Sequence, residues 1–292
     1  MEMYMNTECL LCHLERNVQL ARTLGTEEKA TAFVKELMRQ YIDVSEDYTS
    51  PHFAAGTERI LRRFYGVPVD RYWQEKQDSN RFVLERMDTL RSKVESQPDP
   101  VLAGLKFAIL GNYIDFSALR GNVSFGLLED MIASALEMEL DEACYEKLRE
   151  DLAAGSKLLY VCDNAGEIGF DRIFAEQIAK HYPNLQITFC VRGGPAMNDA
   201  LREDAAAVGI PFPVIDSGVA MPGTALDSVN EDTLQAFRQA DVIISKGMGN
   251  VETLLGCGYN VYFAFLIKCQ RFVNKFKKPL LTPMLVRELS PR

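Results

Sequence analysis

From residue 155 onward, short apolar runs alternate with amphipathic helical segments, and this rhythm constrains the fold more than any other feature of the sequence. The runs are KLLYVC, LQITFCV, FPVID, ADVIIS and NVYFAFLIK, with PLLTPMLV as a further candidate near the end. Strands that alternate with helices of this length are typical of a mostly parallel sheet with helices on both faces. We therefore predict an α/β fold with a Rossmann-like sheet.

The first half of the chain shows helical periodicity. Segments such as EEKATAFVKELMRQYI and TERILRRFYG repeat apolar residues at three- and four-residue spacing. One long helix is predicted from about Arg71 to Glu95, and another begins at Asp99 and Pro100, an acidic cap followed by proline in the first turn. The sequence thus predicts an all-helical domain over residues 1–154 and a Rossmann-like domain over residues 155–292.

The acidic composition limits the partners that we expect. The 292 residues carry a formal net charge of −9 at pH 7. The one positive cluster, Lys268 to Lys278, is predicted as a helix with a solvated face, with attraction of an anionic substrate as the alternative. Because an acidic surface repels phosphate backbones and anionic lipid, we expect neither nucleic acid nor a membrane as partner. A small anionic substrate is still compatible, since a bound cation can invert the local charge. Because the sequence shows no apolar run of about 18 residues and no secretory leader pattern, we expect a cytoplasmic protein. The sequence does not indicate an oligomeric state.

Polar residues and glycines follow three of the predicted strands. They are Asp163, Asn164 and Glu167 after the first strand, Arg192, Asn198 and Asp199 after the second, and Lys246, Gly247, Gly249 and Asn250 after the fourth. Any one of these loops alone is typical of a turn with a helix cap. In a doubly wound sheet, however, ligands bind beyond the carboxyl ends of the strands, so the three loops together indicate an active site.

The residue types favour phosphoryl chemistry assisted by a metal ion. Asp163, Asn164 and Asp199 offer the hard oxygen ligands that suit Mg²⁺ or Mn²⁺, with Co²⁺ and Ni²⁺ as further candidates. Such an ion polarises a phosphoryl oxygen and lowers the pKa of a bound water molecule. The sequence therefore predicts a divalent metal ion as cofactor.

Phosphate binding is predicted from the same loops. Lys246 supplies a point charge for the non-bridging oxygens, and the fork of Arg192 can clamp an anion with two hydrogen bonds. The backbone amides of Gly247 and Gly249, where the next helix starts, are suited to cradle a phosphate, with Asn250 beside them. We expect these residues to bind the substrate.

Three segments resemble the damage-control phosphatase family, one branch of which is also named as acidic-residue (protein-glutamate) O-methyltransferases. They are YVCDNAGEIGFDRIFAEQI, VRGGPAMNDALREDAAAVGI and ADVIISKGMGNVETL, and the likeness extends to LKFAILGNYIDFSAL and YWQEKQDSN. The resemblance implies a Rossmann-like domain with an added helical domain, and hydrolysis of small phosphorylated metabolites with a divalent metal.

The resemblance also implies roles for individual residues. By position it makes Asp163, Asn164 and Asp199 metal ligands and Lys246 a phosphate contact, places Asn112 and, with less support, Asp115 facing the site, and gives supporting or substrate roles to Asn198, Arg192 and Glu167. The sequence is similar to the prokaryotic branch, whose N-terminal Cys-x-x-Cys is matched by Cys9 and Cys12.

Two mechanisms are compatible with these roles. In one, a metal-activated water attacks phosphorus while Lys246 neutralises the charge that develops on the oxygens. In the other, Asp163 attacks and forms an acyl-phosphate. We favour the water route, because the lone pairs of Asp163 are engaged if it is a metal ligand.

The cysteine pair has several interpretations. Cys9, Cys12 and His13 match the attachment pattern of c-type haem, but attachment needs export, for which the sequence shows no signal. A zinc or redox site at Cys9 and Cys12 is an alternative that would need further ligands. Reduced thiols in a packed N-terminal turn are the simplest interpretation.

Two other functions fit the fold class. An S-adenosylmethionine-dependent carboxyl methyltransferase usually has a glycine-rich loop after the first strand, whereas DNAGE has one glycine. A non-catalytic metal- or metabolite-binding protein would keep the same loops without turnover. We predict the phosphatase.

Overall fold

The described part of the chain up to residue 154 is mainly helical, as the periodicity predicted. The computed structural model describes residues 3–43, 45, 47–114, 130 and 134–288. The helices of this part are α1 Thr7–Leu24, α2 Glu27–Ile42, α3 Ser50–Tyr65, α4 Trp73–Leu84, α5 Met87–Glu95, α6 Pro100–Gly111 and α7 Glu142–Ala154. None of the described helices is long and apolar enough to cross a membrane.

The long helix predicted over residues 71–95 is wrong, because this segment forms two helices. The chain turns at Glu85 and Arg86, between the end of α4 and the start of α5. The Arg86 guanidinium donates to the carbonyl of Phe82 at 3.1 Å, which satisfies an orphan acceptor at the end of α4. The turn allows Phe82 on α4 and Met87 on α5 both to enter the core.

In the described residues, six strands form one sheet in the order β3-β2-β1-β4-β5-β6, parallel except for β6. The strands are β1 Lys157–Val161, β2 Gln186–Val191, β3 Val214–Asp216, β4 Val242–Lys246, β5 Val261–Leu266 and β6 Pro283–Arg287; the helices among them are α8 Glu167–His181, α9 Arg202–Ala207, α10 Glu231–Gln239, α11 Gly247–Leu254 and α12 Gln270–Phe276. The Rossmann-like, mostly parallel sheet is therefore confirmed. Its strand order reverses between β1 and β4, which is where doubly wound sheets bind ligands.

Helix α6 joins the helical part of the chain to the sheet. Its predicted start is confirmed, since the Asp99 side chain accepts a hydrogen bond from the amide of Leu102 at 3.0 Å. A glycine permits close approach to α8, because a Cβ on Gly104 would lie 3.1 Å from the backbone of Phe174. One hydrophobic core runs from α4, α5 and α6 into β1 and β2. Because this core is shared by both parts of the chain, the predicted division into domains at residues 154 and 155 stays a prediction.

Candidate active site

The loop after β1 carries two carboxylates that share their hydrogen-bond donors. Asp163 Oδ2 accepts from Asn112 Nδ2 at 2.9 Å and from Asn164 Nδ2 at 2.8 Å. The same two carboxamides donate to Glu167 Oε2 at 3.0 and 2.7 Å. Asn112, at the end of α6, also accepts from the amide of Leu266 at 3.2 Å. The helical part thus delivers Asn112 to the strand ends where the other predicted site residues lie.

The loop after β2 lies directly against the loop after β1. Asn164 and Asp199 pair as an isolated antiparallel bridge, and the amide of Ala200 donates to the Asp163 carbonyl at 2.7 Å. Met197, just before this contact, has a φ of 54°, a left-handed conformation that non-glycine residues adopt at a cost. The backbone therefore brings the Asp199 and Asp163 positions together.

The chain is glycine where it passes Asp163, at the junction of β4 and α11. Gly247 has a φ of 77°, and a Cβ at this position would lie 1.8 Å from Asp163 Oδ2. Any other residue here would have to displace the carboxylate. A Cβ on Gly223 would lie 2.4 Å from the carbonyl of Gly249, so the loop after β3 packs on the first turn of α11. Three strand-end loops therefore meet around Asp163.

A buried arginine connects the ends of β2 and β4. Arg192 Nε donates to Asp199 Oδ2 at 2.6 Å. Its other two nitrogens donate to Thr224 Oγ1 at 2.9 Å and to Asn250 Oδ1 at 3.3 Å. The Asn250 carboxamide donates to two strand-end carbonyls at 3.0 and 2.7 Å. Since both side chains bond to the protein itself, the geometry favours a bracing role for Arg192 and Asn250 over the predicted phosphate contacts.

Lys246 lies beneath the loops. Its ammonium is fully buried and donates to Glu167 Oε1 at 2.7 Å, to Asp171 Oδ1 at 2.8 Å and to a backbone carbonyl at 2.6 Å. Burial alone would lower the pKa of Lys246, but Asp171 and Glu167 raise it above its usual value. All three ammonium hydrogens are used. The geometry therefore favours charge balance beneath Glu167 over the phosphate contact predicted for Lys246.

The surroundings of Asp163 are electrostatically unfavourable for its charged form. Burial raises the pKa of the Asp163 carboxyl well above its ordinary value, and the carboxylates of Asp199 and Glu167 raise it further, whereas Lys268 and Arg192 oppose this shift. Lys268, just after β5, is only 8% exposed. The solvated face predicted for the basic stretch is therefore wrong for Lys268, which adds a second cation near Asp163.

The predicted metal ligands have oxygens suited to a divalent cation. Asp163 Oδ1 lies 3.7 Å from the Arg192 guanidinium, and the Asn164 Oδ1 is left for a ligand because both carboxylate contacts of Asn164 use its Nδ2. Among the described residues, no three His, Cys, Asp or Glu side chains form a group that could hold a metal ion. A ligand set that includes Asp163 and Asp199 would therefore need a carboxamide oxygen, which is the role predicted for Asn164. Such hard oxygens fit Mg²⁺ or Mn²⁺, and a cation would relieve the repulsion between the carboxylates.

Asn198, the residue before Asp199, carries a buried donor. Its Nδ2 is buried and makes no hydrogen bond to the residues that the structure describes. The backbone carbonyl of Asn198 accepts a hydrogen bond from the backbone amide of Ala165 at 2.9 Å, which fixes the main chain at this position. Because buried carboxamides normally complete their hydrogen bonds, the unpaired Nδ2 is consistent with the substrate contact predicted for Asn198.

The similarity of this chain to known proteins extends far beyond the three strand-end loops. A model of the damage-control phosphatase ARMT1-like domain matches residues 5–280. The chain belongs to this family. The resemblance seen in the DNAGE, RGGP and KGMGN segments is thereby confirmed.

Two curated archaeal proteins and one solved structure are similar to this family member along most of its length. The damage-control phosphatase PH1575 of Pyrococcus horikoshii is 32% identical over 280 residues, which cover 93% of this chain and 94% of that protein. A damage-control phosphatase of Archaeoglobus fulgidus is 30% identical over 256 residues, 84% of this chain and 88% of that protein. A crystal structure of a DUF89 family protein from Pyrococcus horikoshii superposes with a TM-score of 0.82 and 26% identity, covering 99% of this chain and 100% of that one.

The N-terminal cysteines of this family member occupy different environments. Cys9 is buried and Cys12 is exposed on α1. Cys9 Sγ accepts a hydrogen bond from Arg271 Nη1 at 3.1 Å, and burial together with Glu252 raises the pKa of the Cys9 thiol. The described residues contain no three-ligand group around them. A zinc or redox site at Cys9 and Cys12 stays a prediction.

Several residues of the site were missed by reasoning from the sequence. Asp171 follows Glu167 by one helical turn, and that spacing alone indicates a shared face. Lys268 follows the fifth predicted strand, so the strand-end rule that found the other residues applies to it too. Asn80 lies in the YWQEKQDSN segment, which carried part of the family resemblance. Asp115 lies outside the described residues.

Proposed function

We propose that this member of the damage-control phosphatase family is a divalent-metal-dependent phosphatase of small phosphorylated metabolites. The proposal rests on one observation, the meeting of Asp163, Asn164 and Asp199 at the carboxyl ends of β1 and β2. Family membership and the two archaeal relatives named damage-control phosphatase support hydrolysis of a phosphoester.

The proposed ligands are oriented by their neighbours. A divalent ion held by Asp163, Asn164 and Asp199 would polarise the phosphoryl group and lower the pKa of a water molecule. Asn112 holds Asp163 by Oδ2, which leaves Oδ1 for the ion, and Arg192 orients Asp199 through a hydrogen bond to its Oδ2. Such anchoring costs nothing further during the reaction, because the groups are already in place.

The proposed substrate contacts are Lys268 and Asn198. Lys268 places positive charge near Asp163, where the phosphoryl oxygens of a bound substrate would lie. Asn198 adds the buried Nδ2 as a neutral donor. Lys246 does not contact the substrate in this proposal, because its ammonium balances the negative charge of Glu167 and Asp171.

Methyl transfer is less compatible with this geometry. A Rossmann-like cofactor site uses the turn between the first strand and the following helix. Here Gly166 in that turn is covered by α4, because a Cβ on Gly166 would lie 2.7 Å from the Ser79 side chain. The space over the turn is thus filled by the protein itself, which favours the phosphatase.

The test is phosphate release by chelator-stripped protein. p-Nitrophenyl phosphate and a panel of sugar phosphates, phosphopantetheine-type compounds and modified nucleotides would be assayed with Mg²⁺, Mn²⁺, Co²⁺, Ni²⁺ or no metal. We expect metal to restore turnover in the natural protein and in Asp88→Ala, whose side chain is fully exposed, but not in Asp163→Ala. Turnover that survives in Asp163→Ala would refute the proposed ligand set.

Two other results would redirect the assignment. Binding of S-adenosylmethionine in calorimetry, without phosphate release from any substrate, would favour methyl transfer. A phosphorylated protein trapped by rapid quench, with the label on Asp163, would replace the water route by an acyl-phosphate route.

A further inference from the structure

Helix α4 buries two polar side chains against the back of the candidate site. Lys76 and Asn80 are 1% and 2% exposed, although they lie on a helix of the N-terminal part whose first residue, Trp73, is 53% exposed. Burying an ammonium and a carboxamide is costly unless each finds partners. Both contact Asp204 at the start of α9, and Asn80 also contacts the loop after β1.

The Asn80 carboxamide bridges these loops with one hydrogen bond to each. Its Oδ1 accepts from the amide of Gly166 at 2.7 Å, two residues beyond Asn164. Its Nδ2 donates to Asp204 Oδ1 at 2.8 Å, five residues beyond Asp199. A single buried side chain therefore connects the loop after β1 to the first turn of α9, the helix that directly follows the loop after β2.

Asp204 is itself held rigidly. Its Oδ2 accepts from the amide of Leu201 at 2.9 Å, which fixes the start of α9. The same oxygen pairs with Lys76 Nζ at 3.1 Å, and Lys76 also contacts Asp70 at 3.1 Å. Because the ion pair between Lys76 and Asp204 has no exposed side-chain surface, it holds its geometry more strictly than a surface pair.

The two loops also contact each other at their inner ends. The amide of Ala165 donates to the Asn198 carbonyl at 2.9 Å, and the amide of Ala200 donates to the Asp163 carbonyl at 2.7 Å. Asn80 connects the same two segments farther along the chain, at Gly166 and Asp204. The separation of the proposed ligands is thus set by contacts between the loops themselves and by the contact with α4.

We propose that Asn80 is a positioning residue, and that α4 acts through it to set the distance between Asp163 with Asn164 on one loop and Asp199 on the other. The inference deepens the proposed function and rests on it, because the distance matters through the affinity for the metal. Side chains that orient metal ligands typically change metal affinity 10–100-fold when removed. Asn80 touches neither the substrate nor the metal in this scheme.

The test compares Asn80→Ala with Asn17→Ala. Asn17 is a matched control, since it is buried on α1 and donates to the carbonyl of His13 at 2.8 Å, outside the site. Calorimetry with Mn²⁺ on chelator-stripped protein should give a Kd at least about 10-fold weaker for Asn80→Ala and unchanged within about twofold for Asn17→Ala. Saturating Mn²⁺ should restore most of the kcat of Asn80→Ala.

Hydrogen exchange of the metal-free protein gives a second readout. The amides of residues 164–168 and 199–205 should exchange at least about 10-fold faster in Asn80→Ala and at the natural rate in Asn17→Ala. This measurement depends on the hydrogen bonds alone and needs no enzymatic activity.

A reversed pair keeps the test informative if the single variant folds poorly. Asn80→Asp alone sets two carboxylates against each other and should weaken Mn²⁺ binding. Asn80→Asp combined with Asp204→Asn restores one acceptor for Gly166 and one donor–acceptor pair between positions 80 and 204, so it should recover affinity and exchange protection.

The outcomes separate the two claims. Natural affinity and natural exchange in Asn80→Ala, with Mn²⁺ bound by the natural protein, would overturn the positioning role and leave the phosphatase proposal standing. Faster exchange in both loops, with no Mn²⁺ bound by the natural protein, would support the bridge and overturn the proposed metal function.

Discussion

Gly247→Ala is the substitution whose effect follows most directly from the geometry. A methyl group at this position would lie 1.8 Å from Asp163 Oδ2, and real contacts of this kind are essentially never shorter than 3.0 Å. The carboxylate must therefore retreat by more than 1 Å. Its two hydrogen bonds, from Asn112 at 2.9 Å and Asn164 at 2.8 Å, cannot both survive such a shift.

Two effects lower the free energy of unfolding of Gly247→Ala. Gly247 has a φ of 77°, and a left-handed conformation costs an alanine about 1–2 kcal/mol. Hydrogen bonds to a charged group contribute about 1.5–3 kcal/mol each, so losing two brings the total loss of stability to about 4–8 kcal/mol. Because a misplacement of about 1 Å in an active site can cost 10²-fold in rate, we expect kcat/KM to fall about 100-fold or more.

Gly66→Ala is the matched control. Gly66 also has a positive φ, 63°, but nothing lies within 4 Å of its Cβ position. Urea unfolding should therefore show a loss of about 1–2 kcal/mol for Gly66→Ala with natural phosphatase kinetics. If Gly247→Ala matched Gly66→Ala in both stability and kcat/KM, the close packing of Gly247 on Asp163 would be refuted.

Three further substitutions test the assignment of the charged groups. Lys246→Met should lower the free energy of unfolding by about 3–5 kcal/mol in urea titrations, because Glu167 and Asp171 stay buried without their cation; a loss below about 1 kcal/mol would contradict the charge-balancing role. Lys268→Met should fold and lose about 100-fold in kcat/KM for phosphoesters, as a cation near the phosphoryl group is removed; unchanged kinetics would remove Lys268 from the site. Burial raises the pKa of Glu252 to about 7, above the ordinary 4.5, so the folded state holds a proton that the unfolded chain has lost and stability falls as the pH rises through this interval. Glu252→Gln should therefore match the natural protein at about pH 4 and exceed it by about 3 kcal/mol at about pH 8, whereas parallel stability profiles would show that the carboxyl is not perturbed.

The sheet and the positions of the strand-end loops could be predicted from the sequence because both depend on local periodicity. Alternating strands and helices place carboxyl ends at one edge, which brought Asp163, Asn164 and Asp199 into one region. The break between α4 and α5 could not be predicted in the same way. Both sides of that break have helical periodicity, and the turn at Glu85 and Arg86 depends on packing against the core.

The direction in which buried charges point could not be predicted from strand ends alone. Lys246 ends β4 and Lys268 follows β5. The Lys246 ammonium lies beneath the sheet edge and contacts Glu167, whereas the charge of Lys268 opposes the rise in the pKa of Asp163. Which way each turns depends on partners from distant segments, such as the α6 carbonyl that Lys246 contacts. The same holds for Arg192, since its partners Thr224 and Asn250 lie 32 and 58 residues away in sequence.

The most direct test of the account is a titration of chelator-stripped protein with Mn²⁺, in which bound metal is measured by electron paramagnetic resonance and phosphate release is measured on the same samples. The account predicts that activity rises in proportion to one bound Mn²⁺ per chain, and that Asp163→Ala loses both signals together. Full phosphate release by metal-free protein, or undiminished Mn²⁺ binding in Asp163→Ala, would contradict it.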